Sequence, residues 1–546
     1  MNYQKNKNNN LYTYIFWVGL FIIMLLRSFY FGIDYFKFLD DYNTYGIFYR
    51  LNYDIWNNII MHYRHFTWRP IAFFLDAYVT QWFWSSMWVL LLFYTTMHFF
   101  TVVFFYKIMK KSEINFGIFG IIIISLSPIL FESVYWVGAS TRLVAGMFFS
   151  ILSVYFMLFC IEKNQHYNKS RFYLFLYIFF NFVSTGFYEQ IIVFNLVFTL
   201  IIIVVNDYKI RYYLKTIYLT PIVVTIFMVV FYIVLAPYGR VLGRANMVSL
   251  YSLPSHIINT TFRILYLLTF TTFEISYLGF FRGINLMLSI FGIFIFIFLS
   301  GFVFFNLVSF FVLKIRVIWE TEEKNYVLRI IISIILIFAP FGPFYLLSPQ
   351  TLPPRVIYPS IFGIALFLDT IIDIINEIFW NKFIKPLLTA VVIIPFFIVY
   401  IAEVNNFRLL EEIDYKISYN FMQVFNETDY SDTDNILIFN TRVLYSDVTG
   451  GGSPHRLENI SSSDWAFLGK LNATFTDTRF FNIKPVPNNS SFVLSEDLEN
   501  RFFGIDENLD FFVLSLQNNI LYIQTTRDIF GIIEQHENYF IFVRNN

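Results

Sequence analysis

The sequence predicts an all-α polytopic membrane bundle of about eleven transmembrane helices, followed by a C-terminal extracytoplasmic domain that is α/β or β-rich. Hydrophobic residues make up 57% of the 546-residue chain and charged residues only 14%, whereas globular domains carry about 25% charged residues. The apolar residues also fall into runs long enough to cross a bilayer. After about Ala402 these runs shorten to strand length.

The membrane-spanning helices follow from the positions of these runs, because one span needs about 20 apolar residues. The predicted spans are Leu11–Phe31, Met87–Tyr106, Phe116–Leu130, Leu143–Cys160, Phe172–Phe187, Ile191–Val205, Tyr218–Leu235, Leu286–Leu313, Ile330–Leu347, Val356–Phe379 and Ile384–Ile401. One alternative is a single long helix through the break at Ser184, Thr185 and Gly186.

The orientation follows from the basic residues, which cluster in every second connection. These clusters are Lys107, Lys110 and Lys111; Lys163, Lys169 and Arg171; Lys209, Arg211 and Lys215; Lys314, Arg316 and Lys324; and Lys382 and Lys385. Since cytoplasmic loops are enriched in Lys and Arg, the N-terminus is predicted inside. The C-terminal domain and two long loops, Gly32–Ser86 and Ala236–Arg282, are then predicted outside.

The change in run length after about Ala402 divides the chain into a predicted transmembrane domain, residues 1–403, and a predicted extracytoplasmic domain, residues 404–546. Short apolar segments separated by Gly-, Pro- and Asn-rich turns indicate strands. The predicted strands are Ile436–Phe439, Phe492–Leu494, Phe511–Leu516 and Tyr539–Val543.

Charge and cysteine content exclude several classes of protein. The formal net charge is zero, so the chain has no basic field to attract nucleic acid. Because Cys160 is the single cysteine, one chain can build neither a disulfide framework nor a cysteine metal site.

An acidic pair, Asp40 and Asp41, follows the first span. A carboxylate at the membrane boundary can act as a general base toward a hydroxyl group or hold a divalent cation, and its neighbour can shift its pKa. The alternative is a helix N-cap or a solvated turn.

Further acids and arginines recur at the same predicted outer level. These candidate binding residues are Arg69, Asp76, Glu132, Arg142, Glu189, Arg355 and Tyr358. Arginines near carboxylates suit a phosphate-bearing ligand served by a base. The alternatives are an arginine that snorkels to a lipid headgroup and a solvated rim of charges.

In this order, these features resemble the GT-C superfamily of polytopic glycosyltransferases, which use polyprenyl-phosphate-linked sugars. The likeness covers roughly Asp40 to Ser360 and includes the acidic pair, Arg69-Pro70, the segment with Glu132 and Arg142, Glu189 and the segment beginning at Arg355. The nearest likeness is to the O-mannosyltransferases with transmembrane and tetratricopeptide repeats, although those repeats are absent here. The serotype-converting glucosyltransferases and lipid A aminosugar transferases are more distant.

The resemblance implies that Asp40 or Asp41 deprotonates an acceptor hydroxyl and that Arg355 holds the donor phosphate. The implied enzyme lies in the bacterial cytoplasmic membrane and moves a sugar, with inversion, to a glycan, lipid or protein acceptor of the cell envelope. Some relatives need a divalent cation, so Mg or Mn is a candidate cofactor. The sequence itself identifies no metal ligands.

Two alternatives are a transporter or flippase and a polysaccharide polymerase or ligase. Transporters place ionisable residues near the bilayer midplane, whereas the predicted spans are nearly free of them. Polymerases and ligases usually rely on arginines and a large outer loop without an acidic pair. The sequence therefore favours the transferase.

Overall fold

The structure is a computed structural model. It describes residues 2–38, 41–42, 69–162, 167–206, 214–235, 246–249, 251–311, 325–348, 352–378, 384–426, 435–439, 469–471, 482–486, 510–515, 521–523, 531–536 and 539–544.

The described part of the chain up to residue 426 is almost entirely helical. Its main helices are α1 (Asn2–Ser28), α2 (Pro70–Tyr78), α3 (Met87–Lys111), α4 (Ile118–Leu126), α5 (Val137–Glu162), α6 (Tyr167–Thr185), α7 (Glu189–Val205), α8 (Leu214–Leu235), α9 (Leu253–Leu286), α10 (Ile290–Phe311), α11 (Tyr326–Leu346), α12 (Ile361–Ile378) and α13 (Ile384–Asn426). Short helical turns cover Thr80–Ser86, Pro128–Leu130, Phe131–Val134 and Pro354–Ser360. A two-residue antiparallel bridge joins β1 (Asn246–Met247) to β2 (Leu347–Ser348).

Within the described residues, seven helices are long and apolar enough to cross a membrane. They are Leu11–Ser28, Trp82–Lys111, Val137–Ile161, Leu253–Leu286, Ile290–Ser309, Tyr326–Leu346 and Ile384–Glu412, and shorter apolar helices cover Ile118–Val134, Glu189–Val205 and Thr216–Phe231. The chain is therefore a helical protein with seven candidate membrane spans. The count of about eleven spans stays a prediction.

The chain breaks between α6 and α7, so a single long helix is wrong. Helix α6 ends at Thr185, and Tyr188 has an extended backbone before α7 begins at Glu189. The hydroxyl groups of Ser184 and Thr185 donate to carbonyls three residues earlier, at 2.8 and 2.7 Å. Side chains that bond locally to the backbone compete with helix propagation.

The predicted loop Ala236–Arg282 requires correction, because Leu253–Leu286 forms the continuous helix α9 with one π-helical turn at Leu267–Thr271. Polar residues interrupt the apolar residues along this segment, with His256, Asn259 and Arg263 in its first part and Glu274 and Arg282 in its second. Helix α9 buries a narrow stripe, so its contact with the protein follows helical periodicity and not a continuous apolar run.

A buried charge cluster joins α11, α12 and α13 at one end of the bundle. Arg329 donates to Asp373 at 2.8 Å and to Asp369 at 3.0 Å. Lys385 lies 3.0 Å from Asp369 and 2.9 Å from Asp373, and the Gly117 amide donates to Asp369 at 2.9 Å. Two cations and two carboxylates thus balance inside the protein, which a buried charge requires.

This cluster also corrects the expectation that the spans are nearly free of ionisable residues. Asp369 and Asp373 both lie within the predicted span Val356–Phe379, and both side chains are buried. This end of the bundle contains the start of α11, the end of α12 and the start of α13. We refer to it as the basic end, after the two cations of the cluster, Arg329 and Lys385.

After α13 the structure describes short strands. They are β3 (Asn435–Phe439), β4 (Asn482–Val486), β5 (Asp510–Ser515), β6 (Leu521–Ile523), β7 (Gly531–His536) and β8 (Tyr539–Arg544), in the order β4-β3-β5-β8-β6-β7. Strands β3 and β4 are parallel, whereas β5 pairs antiparallel with both β3 and β8. The prediction of an α/β or β-rich domain in this region, of which long stretches lie outside the described residues, stays a prediction.

The chain divides into two compact units. The first contains Met1–Tyr35, Asp54–Val79 and Ser86–Val404, and the second contains Phe36–Tyr53, Thr80–Ser85 and Asn405–Asn546. Helix α13 contributes residues to both units.

Candidate functional site

Six of the predicted binding residues form three ion pairs within the first unit. The pairs are Arg69 with Glu189, Arg142 with Asp76, and Arg355 with Glu132. The partners are 120, 66 and 223 residues apart in sequence. We call these residues the ion-pair layer.

The first pair connects the starts of two helices. Arg69 precedes Pro70, the first residue of α2, and its Nε and Nη2 donate to both Glu189 carboxylate oxygens at 3.2 and 3.1 Å. The guanidinium also lies 4.0 Å from the centre of the Tyr188 ring. Proline fits the first helical turn, and Glu189 opens α7, where a carboxylate complements the helix dipole. Glu189 is therefore an anionic partner of Arg69 in this structure.

The second pair joins the last turn of α2 to the first turns of α5. Arg142 Nη2 donates to Asp76 Oδ2 at 3.2 Å, and Arg142 also donates to the Gly138 carbonyl. The Asp76 side chain is only 3% exposed, whereas that of Arg142 is 22% exposed. A buried carboxylate needs a cationic or hydrogen-bonding partner, so Arg142 has a structural role that the sequence resemblance did not define.

The third pair involves the residue expected to bind phosphate. Arg355 Nη1 donates to Glu132 Oε2 at 3.3 Å, and its guanidinium lies 5.0 Å from the Trp136 ring centre. The Ser133 hydroxyl donates to the Arg355 carbonyl at 3.0 Å. The Arg355 side chain is 21% exposed and that of Glu132 only 2% exposed. A phosphate at Arg355 would therefore contact a guanidinium whose charge is already partly neutralised.

The three pairs belong to one level of the first unit. Arg69 directly precedes the short helix α2 and Asp76 lies in its last turn. The Gln190 side chain donates to the Val356 carbonyl at 3.1 Å. This bond links the start of α7 to the segment that carries Arg355. Because α12 begins after Arg355 and ends in the buried charge cluster, the ion-pair layer lies at the end of the bundle opposite the basic end.

Tyr358 is not exposed to any approaching ligand. Its side chain is fully buried, and its hydroxyl lies 2.8 Å from His98 Nδ1 on α3. The structure thus places Tyr358 against α3, whereas the sequence analysis predicted that Tyr358 contacts the substrate. Its substrate role stays a prediction.

The sequence reasoning missed Arg27, a buried cation on α1. Only 1% of Arg27 is exposed, and its guanidinium lies 4.1 Å from the Tyr400 ring centre. Within the part of the chain that the structure describes, none of its three side-chain nitrogens has a hydrogen-bond partner. The signal was available, because a lone arginine inside an apolar run is a candidate functional residue.

Arg27→Met is expected to raise the thermal unfolding temperature of the detergent-solubilised protein. Replacing buried charged groups with apolar residues of similar volume stabilises some proteins by about 1–4 kcal/mol. Tryptophan fluorescence during heating would measure the shift, with Arg171→Met, at an exposed position on α6, as the control. A lower unfolding temperature for Arg27→Met would show that an anion neutralises Arg27.

Asp41 of the acidic pair belongs to the second unit. Asp40 lies outside the described residues. Asp41 is fully buried, and its Oδ2 accepts a hydrogen bond from the Phe38 amide at 3.0 Å, while the Asp41 amide donates to the Phe38 carbonyl at 2.8 Å. This arrangement is a buried turn that the Asp41 side chain stabilises. The role of the pair as a base stays a prediction.

Further ionisable groups lie near Asp41 in the second unit. Lys470 Nζ donates to the Tyr42 hydroxyl at 3.0 Å, and Lys37 lies 3.9 Å from Glu411. Burial raises the pKa of Tyr42 well above its usual value, and the nearby carboxylates of Glu411, Asp414 and Asp41 raise it further. Burial lowers the pKa of Lys470, although Glu411 and Asp414 oppose that shift. Tyr42 is therefore a neutral hydrogen-bonding group near neutral pH.

The described residues contain no group of three or more His, Cys, Asp or Glu side chains that could hold a metal ion. The divalent cation suggested by the resemblance stays untested.

Compared with known protein families, curated proteins and solved structures, the chain matches none. The GT-C resemblance thus stays a prediction from the residues quoted above.

Proposed function

We propose that this protein is a membrane glycosyltransferase that moves a sugar from a polyprenyl-phosphate-linked donor to a cell-envelope acceptor on the outer face of the membrane. The observation that carries the proposal is the ion-pair layer, in which six predicted site residues from distant segments meet at one end of the bundle. Guanidinium groups bind phosphate through strong, often bidentate, hydrogen bonds, and the layer brings three of them to this end of the bundle.

In the proposed reaction, Asp40 or Asp41 takes the proton of the acceptor hydroxyl as its oxygen attacks the anomeric carbon. A new glycosidic C–O bond forms, and the bond between the anomeric carbon and the phosphate oxygen breaks. The leaving polyprenyl phosphate keeps that electron pair, and an arginine stabilises its charge. In-line attack inverts the configuration at the anomeric carbon.

A transfer assay tests the proposal directly. The purified protein in nanodiscs would be given a panel of polyprenyl-phosphate sugars together with an envelope-glycan extract. Release of polyprenyl phosphate and appearance of labelled glycan would both be measured. We expect both products in equal amounts. Failure of every donor to react, with a folded protein, would contradict the proposal.

Arg355→Ala is expected to raise the KM for the donor by about 10-fold or more, which corresponds to the loss of one charge-assisted contact. The KM for the acceptor should change little, because the proposed partner of Arg355 is the donor phosphate. Titration of each substrate separately would measure both constants. Arg171→Ala, at an exposed position on α6, is the control.

Loss of folding must be separated from loss of donor binding, since Arg355→Ala leaves Glu132 buried without its cation. The double variant Arg355→Ala/Glu132→Gln removes both charges and restores the balance. If the donor KM of the double variant returned to the wild-type value, Arg355 would only be a partner for Glu132.

A flippase is a second candidate, favoured by the buried Arg27 on α1. A buried cation within a membrane helix is also a feature of proteins that move charged substrates. A reconstituted protein that moved a fluorescent polyprenyl phosphate across vesicle bilayers, without sugar transfer, would support this function over the transferase.

A further inference from the structure

Helix α9 is long enough to cross a bilayer. However, its first turns and its last turns both contact the protein at the same end of the helix bundle. It has 34 residues, which correspond to about 51 Å of helix, whereas the hydrocarbon core is about 30 Å thick. Its apolar composition makes it a candidate span. Its contacts indicate a different position.

The first turns of α9 contact the last turns of α11. His256 Nε2 donates to the Phe344 carbonyl at 3.0 Å, and Thr261 donates to the Tyr345 hydroxyl at 3.3 Å. Just before α9, β1 pairs with β2, which directly follows α11. Because α11 begins at the basic end with Arg329, its last turns lie at the opposite end, with the ion-pair layer.

The last turns of α9 contact Tyr30, just after α1, and the middle of α13. Arg282 donates to Glu403 at 3.1 Å, and the Tyr30 hydroxyl donates to the Leu286 carbonyl at 2.6 Å. Helix α13 begins at the basic end with Lys385, and Glu403 lies 18 residues further along the chain, which is about 27 Å along the helix and close to the roughly 30 Å of the hydrocarbon core. Tyr30 follows α1 close to Arg27, which lies against Tyr400 of α13. The first and the last turns of α9 therefore both lie at the end of the helix bundle that carries the ion-pair layer.

The next helix, α10, confirms this direction. It runs antiparallel to α1, since Phe291 lies 5.6 Å from Tyr30 and Phe305 lies 5.7 Å from Tyr12, measured between ring centres. The chain therefore leaves α9 at the ion-pair end and crosses toward the basic end within α10. If α9 also crossed, its two ends would lie at opposite ends of the bundle.

Helix α9 buries one narrow stripe against the protein. The buried residues are Thr260, Ile264, Leu267, Thr271, Ile275, Gly279 and Gly283. Gly279 and Gly283 approach α13 so closely that a Cβ atom at either position would clash with Val399 or Ile398. Small residues spaced by four positions allow such close helix packing within membranes.

The opposite face of α9 is a row of exposed aromatic and aliphatic side chains. We call it the aromatic row, and it consists of Phe262, Tyr266, Phe270, Phe273, Tyr277, Phe281 and Ile284, all more than 40% exposed. It continues along the chain into Leu288, Ile290, Phe291 and Phe294 of the exposed apolar surface of α10. An apolar surface of this length is a binding surface for another apolar phase.

From these contacts we infer that α9 is an interfacial helix, which lies along the membrane surface at the ion-pair end with its aromatic row in the lipid. Its partner is the boundary between headgroups and acyl chains of one leaflet, where aromatic side chains are enriched. Arg263 and Glu274, exposed on the same helix, can then remain in the headgroup region. The inference does not depend on the proposed catalytic activity.

Two cysteine variants test the position of the helix ends. In a Cys160→Ala background, Ser255→Cys and Asn285→Cys place one thiol near each end of α9, both at exposed positions. A membrane-impermeant maleimide added to sealed, uniformly oriented vesicles should label both thiols from the same side. Val327→Cys and Leu346→Cys, at exposed positions near opposite ends of α11, are the matched controls and should label from opposite sides. Labelling of Ser255→Cys and Asn285→Cys from opposite sides would overturn the inference.

Spin labels test the lipid partner. Labels at Phe262→Cys, Phe273→Cys and Phe281→Cys should show equal, shallow depths by relaxation with oxygen and with a water-soluble nickel complex. A spanning helix would instead separate the first and last labels by roughly 28 Å along the membrane normal. Labels accessible only to the nickel complex would place the row in water, and dipolar broadening between labels would identify a second copy as the partner. Either result would contradict lipid contact.

Discussion

Asp41→Asn or Asp40→Asn is expected to lower the rate of sugar transfer by about 10²–10⁴-fold, the range for loss of a general base. The amide of asparagine has nearly the size and shape of the carboxylate, and its oxygen can accept the bond from the Phe38 amide that Asp41 accepts now. Its nitrogen cannot take a proton from an acceptor hydroxyl. The turn should therefore persist while the chemistry is lost, and transfer of labelled sugar in nanodiscs would measure the loss.

The matched control for the acidic pair is Asp34→Asn. Asp34 is an exposed acid a few residues earlier, and its carboxylate accepts a bond from the Tyr35 amide at 2.7 Å. It should keep the wild-type rate. Asp41→Ala would remove both the charge and the turn bond, so a loss with alanine but not with asparagine would identify Asp41 as structural. Wild-type rates in both asparagine variants would reject the assignment of the base.

The sequence predicted a helical membrane protein and the residue types of the ion-pair layer because both depend on local patterns. A long apolar run identifies a span by itself, and Arg69 before Pro70 identifies a helix start. The pairing of Arg355 with Glu132 could not be predicted in this way, since the two residues are 223 positions apart. Only the packing of the helices decides which acid meets which arginine.

The features that sequence reasoning missed share a different physical cause. Helix α9 contacts the protein through a stripe that includes Thr260, Gly279 and Gly283, which hydropathy does not recognise as a packing surface. In the buried charge cluster, Arg329 and Lys385 look like ordinary basic residues at the ends of spans. Their burial follows from carboxylates on α12 that face them. Such compensation is visible only when the helices are assembled.

Arg329→Met is expected to destabilise the protein by about 3–5 kcal/mol, the cost of removing one partner from a buried ion pair. The substitution would leave Asp369 and Asp373 buried, with Lys385 as their remaining cationic partner among the described residues. Arg27→Met, which removes a cation that has no hydrogen-bond partner among the described residues, should have the opposite sign. The same amino-acid exchange thus reports whether a buried arginine is compensated. Unfolding of the two variants in mixed micelles with increasing SDS would measure both changes.

A charge-balanced double variant separates electrostatics from packing in this cluster. Arg329→Met/Asp373→Asn leaves one cation, Lys385, facing one carboxylate, Asp369, and keeps the size of both side chains nearly unchanged. If the cost arises from uncompensated charge, the double variant should regain more than half of the stability lost in Arg329→Met. If it arises from the lost hydrogen bonds of Arg329, which reach both carboxylates at 2.8 and 3.0 Å, the second substitution should not restore stability. Equal stability of Arg329→Met and the wild type would show that the cluster does not hold these helices together.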